Sequence, residues 1–73
     1  MAARTRTLEV LAFLARWERR HGYGASVRDI CDGLSMASTS TVEYHLIKLR
    51  DRQLITWEPG IARSIRVIDE VPS

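Results

Sequence analysis

Apolar residues return every three or four positions between Thr7 and His21, at Val10, Phe13, Leu14 and Trp17, with Leu8 and Leu11 broadening the stripe. That is the period of an amphipathic helix, starting at Thr5 or Thr7 and stopped by Gly22. Ser26, followed three residues later by Asp29, makes a short-armed capping box, and Val27, Ile30, Cys31 and Leu34 supply the apolar face of a second, short helix over about 27–33. "LSMA" is a tight connection. Val42, Leu46 and Leu49 then repeat at four and three residues, which predicts a third helix over 38–51.

The pattern changes after Leu54. "LITWE" and "RSIRVI" are rich in β-branched and aromatic residues and flank "PGIA", where Pro-Gly marks a turn. A hairpin follows, with Ile55 and Trp57 on one strand and Ile65 and Val67 on the other. "DEVPS", residues 69–73, reads as a frayed tail beyond a single domain over 1–68. Three helices and a two-stranded antiparallel hairpin give an α+β, mostly α fold in the order of a winged helix-turn-helix, whose third helix enters the DNA major groove.

Seventy-three residues leave no room for a separate catalytic domain. An apolar share of 45% is too high for a disordered chain, and no apolar run approaches the roughly 20 residues that span a bilayer. Residues 1–68 carry 11 basic and 7 acidic side chains, a balance of +4 that suits a polyanion partner. Cys31 is the only cysteine, so no intrachain disulfide forms; it reads as a small buried hydrophobe in a reducing, cytoplasmic setting. Glu9 interrupts the N-terminal apolar run and the charges from Arg16 to Arg20 close it, too early for a signal peptide.

Enzyme chemistry finds no foothold. His21 and His45 have no Cys, Asp or Glu at metal-ligand spacing, "HGYGA" lacks the third glycine and preceding strand of a dinucleotide loop, and no serine has a readable base and acid. The expectation is therefore no catalytic residue, no metal, no cofactor and no small-molecule ligand. His45, at the flank of the third helix's apolar stripe, reads as a partly buried structural histidine or one that reaches a phosphate.

"ASTSTVEYHL", residues 37–46, sets four hydroxyls at the start of that helix. One of them, on Ser38 or Thr39, can cap it. Short hydroxyls at a helix N-terminus also meet phosphate or base edges without pushing the helix out of the groove. Ser38, Ser40, Thr41, Glu43 and Tyr44 are the candidates for base contact: Glu43 can accept from a cytosine amino group and Thr41 can offer its methyl to a thymine. Thr39, Lys48, Arg28, Arg63 and Arg66 are the phosphate candidates, Arg28 because the second helix of this motif crosses the backbone, and the last two as a basic wing. A hydroxyl-rich start and an early Glu are also simply good helix beginnings. Arg16, Arg19 and Arg20 read as a solvated face of the first helix.

Taken together, "LEVLAFL", "SVRDICDGL", "STSTVEYHLIKLRDRQLI" and "RSIRVI" resemble the N-terminal DNA-binding domain of the LexA family, the SOS-response repressors. The likeness runs nearly gap-free over 6–68. It implies a cytoplasmic, bacterial or phage-encoded repressor of double-stranded DNA, with Ser38, Ser40, Thr41, Glu43 and Tyr44 at the family's base and nearby backbone contacts and Arg28 and Arg63 near phosphate. Three departures stand out. Gly24 and Ala25 replace the family's usual prolines before the second helix, which predicts a looser approach to it. Gln53 replaces a glycine after the recognition helix, so a left-handed turn there carries about 1 kcal/mol of strain. The family's second domain, with its Ser–Lys self-cleavage dyad and dimerisation surface, has no counterpart here, so self-cleavage is not inferred.

The reading is a sequence-specific repressor that occludes a promoter, working as a homodimer on a palindromic operator through the wing or an exposed end of Trp57. The alternative is a protein-binding winged helix, such as an antirepressor or assembly subunit, kept open by the near-balanced charge of the third helix.

Overall fold

The computed structural model describes residues 6–68, so the expected tail over 69–73 and a helix start at Thr5 lie outside the described residues. Five elements follow in order: α1 (Arg6–His21), α2 (Val27–Leu34), α3 (Thr39–Asp51), β1 (Ile55–Thr56) and β2 (Arg66–Val67). β1 and β2 pair antiparallel, Ile55 opposite Val67 and Thr56 opposite Arg66. The fold is the winged helix-turn-helix that the hydrophobic pattern predicts.

Each helix sends its narrow apolar face into one core. Val10 and Leu14 of α1, Ile30 and Cys31 of α2, and Val42, Leu46 and Leu49 of α3 are buried, joined by Ala25, Ile55, Trp57 and Ile65. Each fully buried aliphatic side chain contributes about 1.5–3 kcal/mol, which a domain this small needs in full. The α1 stripe is wider than its partners can cover. Phe13 and Trp17 are only partly buried against the core, and Leu8 stays exposed. Phe13 lies against Gly33, where any side chain would strike its ring.

The C-terminal ends of α2 and α3 reverse at non-glycine residues in left-handed backbone. Ser35 (φ 56°) lets the Met36 amide return to the Cys31 carbonyl at 3.0 Å, so α2 runs one residue past the expected Gly33. Gln53 (φ 61°) occupies the glycine position of a Schellman motif: its amide bonds the Arg50 carbonyl at 2.9 Å and the Leu54 amide reaches back to Leu49 at 3.0 Å. The strain expected from a non-glycine residue at this turn is therefore present.

Three expectations need correcting. Trp57 and Ile65 are buried, as core residues should be, but they fall outside the ladder, which is two residues long on each side. Pro59 has no N–H to donate, and positive φ at Gly60 and Arg63 turns the connection out of strand geometry. Trp57, 8% exposed and covered by the Arg50 guanidinium 5.2 Å from its ring, has no free end to offer a second copy. The approach to α2 is tight rather than loose: Gly24 and Ala25 are buried, and a Cβ on Gly24 would collide with the Ile65 carbonyl.

Candidate nucleic-acid interface

The N-terminus of α2 closes on itself. The Ser26 hydroxyl accepts from the Asp29 amide at 3.1 Å, and the Asp29 carboxylate accepts from the Ser26 amide at 3.0 Å. This is the short capping box read from the sequence. Arg63 reaches across from the wing, its Nη1 donating to the Gly24 carbonyl at 2.9 Å and to Asp29 Oδ2 at 3.2 Å, while its guanidinium lies 4.8 Å from the Tyr23 ring. Burial pushes the Asp29 carboxyl up, but hydrogen bonds with Ser26 and the Arg63 charge outweigh it and hold the group below 3.8.

The N-terminus of α3 is left open. Ser38 is its N-cap, the hydroxyl accepting from the Ser40 amide at 3.0 Å. No acidic side chain occupies the first turn. Thr39, Ser40 and Thr41 are exposed, and their hydroxyls make no hydrogen bond with any other described residue. Unsatisfied N–H groups and the positive end of the helix dipole therefore face solvent beside three free hydroxyls, a surface that suits an anion.

Inward, Val42, Leu46 and Leu49 fix the rotation of α3, and His45 completes the buried side. Its Nδ1 lies 2.8 Å from Thr7 Oγ1, which pins α3 to the first turn of α1. Burial, then the charges of Lys48 and Arg6, lower the His45 imidazole below 6.5, so its neutral form is favoured. His45 is thus a buried structural histidine. Outward, Glu43 and Tyr44 lie three and four residues past Ser40, and Ile47 lies four and three past them, so the four form one stripe of the helix surface. Lys48 lies 5.2 Å over the Tyr44 ring.

The wing joins this surface on its other side. The Ile61 amide bonds the Glu58 carbonyl at 3.0 Å around Pro59 and Gly60 (φ 91°), and Ser64 both accepts from the Glu58 amide and donates to its carbonyl at 3.0 Å. This turn brings Gly60 and Ile61 to a cleft of about 320 Å³ that they share with Ser26, Arg28, Glu43 and Arg63. Arg28 is exposed at its rim.

Of the residues singled out in the sequence, Arg28, Glu43 and Arg63 come together at that cleft, while Thr39, Ser40, Thr41, Tyr44 and Lys48 lie on α3 and Ser38 caps it. Arg66 is apart from them: its Nε sits 3.5 Å from Glu18 on α1, beside Ala15 and Arg19. Two positions escaped the sequence reading. Ile47 lies three residues past Tyr44 and seven past Ser40, so extending that stripe one more turn would have found it. Glu18, which accepts from the Val67 amide at 2.8 Å and so holds the wing to α1, left no signal, because its partner is 49 residues away.

The model of the LexA DNA binding domain matches residues 3–64. The LexA repressor of Alkaliphilus oremlandii (strain OhILAs) is 38% identical over 65 residues, 89% of this chain and 32% of the relative. That of Roseiflexus sp. (strain RS-1) is 36% identical over 72 residues, 99% of the chain and 32% of the relative. That of Acetivibrio thermocellus is 41% identical over 61 residues, 84% of the chain and 29% of the relative. The chain thus spans about a third of the length of these relatives. By its sequence, the chain belongs to the family of LexA DNA-binding domains.

Proposed function

We propose that the chain binds double-stranded DNA sequence-specifically and represses transcription by occluding a promoter, with α3 in the major groove. The observation that carries this reading is the open first turn of α3, its free hydroxyls and outward stripe lying beside the cleft that holds Arg28 and the wing turn. Ser38, Ser40, Thr41, Glu43 and Tyr44 read base edges and the nearby backbone, while Thr39, Lys48 and Arg28 meet phosphate. Arg63 and Arg66, each tied to an acidic side chain, serve phosphate with whatever hydrogen bonds those ties leave free. A single module of this kind buries only about 600–1,000 Å² on DNA, so useful specificity calls for two copies on half-sites about one helical turn apart.

Gel-shift selection on random duplexes tests the reading. A defined motif is expected, weakened by Ser40→Ala, Thr41→Ala and Glu43→Ala. Affinity falls steeply with salt, and Arg28→Ala makes the slope of log K against log salt shallower by about one unit. A flat preference, indifferent to those substitutions, overturns direct readout by α3.

A further inference from the structure

The outer face of α3 breaks the pattern expected of a surface helix. Such a helix turns an apolar stripe inward and leaves polar residues outside. Here the inward side is complete with Val42, His45, Leu46 and Leu49, yet Tyr44 and Ile47 face solvent, 57% and 43% exposed. Ile47 is the more telling of the two. A tyrosine carries a hydroxyl that water satisfies, whereas a branched aliphatic gains nothing from exposure and lowers helix propensity through its restricted χ1. It takes no part in the core, and Ser40, Glu43 and Tyr44 precede it on one continuous stripe.

We infer that Ile47 is a specificity-determining residue that reads thymine methyl groups. The inference rests on α3 being the major-groove helix. In that groove every base pair presents hydrogen-bonding edges, and the thymine C5-methyl is the apolar group among them. An aliphatic side chain gains from contact with that methyl and strands the polar edge of any other base. Ile47 lies one turn beyond Glu43, about 6 Å along the axis, while successive base pairs lie about 3.4 Å apart. Ile47 therefore addresses bases further along the site than the hydroxyls of the first turn do. A helix lying along the groove reads with residues spread over two turns, as helix-turn-helix relatives of the homeodomain type do. The operator then contains a thymine whose methyl meets Ile47, inside the half-site and separate from any thymine read by Thr41.

Exchange of thymine for uracil isolates this contact, because it removes the methyl and keeps the base pair. On the best duplex from the selection, each thymine is replaced in turn by deoxyuridine and binding is measured for the unsubstituted chain, Ile47→Ala and Ile47→Val. At one thymine the exchange is expected to weaken the unsubstituted chain about fourfold. Ile47→Ala is expected to lose a similar factor on the thymine duplex and to be indifferent to the exchange at that position, while Ile47→Val retains most of the sensitivity. Circular dichroism should show the same folded signal for all three, since the side chain is outside the core. An effect of the exchange that persists undiminished in Ile47→Ala overturns the assignment, as does a defined motif insensitive to every exchange. A flat preference for all duplexes overturns the reading of α3 and this inference with it.

Discussion

The two helix N-termini of the helix-turn-helix use the same chemistry to opposite ends. At α2 a serine cap, an aspartate at the third position and an arginine from the wing satisfy one another, so that little hydrogen-bonding capacity remains for a ligand. At α3 a serine cap satisfies one amide, no acid neutralises the dipole, and three hydroxyls have no partner among the described residues. The difference teaches that a cap and a binding surface can be told apart by their remaining partners, even where both begin with serine. A closed end stabilises the fold; an open end keeps its donors for something else.

The largest expected effect breaks the closed end outright. Gly24→Ala drives a Cβ into the Ile65 carbonyl, which is backbone and cannot swing aside, and should cost about 2–3 kcal/mol. In a domain this small that lowers Tm by more than about 10 °C, which thermal denaturation will read. Less drastic substitutions separate the two ends by what they change. Ser26→Ala removes the cap of α2 and should cost about 1 kcal/mol of stability, whereas Thr41→Ala at the open end should leave Tm within a degree or two and weaken duplex binding instead. Equal stability losses for the two variants would erase the distinction.

The mildest perturbation is protonation, and it tests the far side of α3. His45 is held below 6.5 in the fold, so the unfolded chain binds the proton more readily. The contribution of the neutral imidazole is whole above about pH 6.5 and declines as the pH falls below it. Asp29, held below 3.8, adds a second loss only as the pH falls under about 4. Denaturant titrations from pH 8 to 5 should show stability falling at the acid end, and His45→Gln should flatten that fall. An unchanged slope in the variant would show that burial of His45 carries no proton linkage.

Much of this was legible in the sequence because it is local. The 3.6-residue period located the three helices, Ser26 and Asp29 declared their box, and Gln53 announced a strained turn by standing where the family keeps a glycine. What escaped depends on residues far apart in the chain. The ladder looked longer than it is because alternation marks both paired strands and buried loops, and Trp57 and Ile65 are the latter. Gly24 looked permissive alone; its tightness comes from Ile65. Arg63 read as a free wing cation, and only the fold brings Gly24, Tyr23 and Asp29 around it. Thr39 to Tyr44 lie on α3 with Ser38 as its cap, as the hydroxyl run predicts.

The wing itself is barely a sheet. With two residues in each strand, its pose depends on three side-chain ties: Glu18 of α1 grips β2, Arg50 of α3 holds the Trp57 carbonyl at 3.3 Å, and the wing's own Arg63 hooks the approach to α2. Exchange of Glu18, which lies on α1 outside the residues proposed for DNA contact, is therefore expected to tilt the wing. The spacing between wing and α3 becomes adjustable from behind, with every residue proposed for contact unchanged.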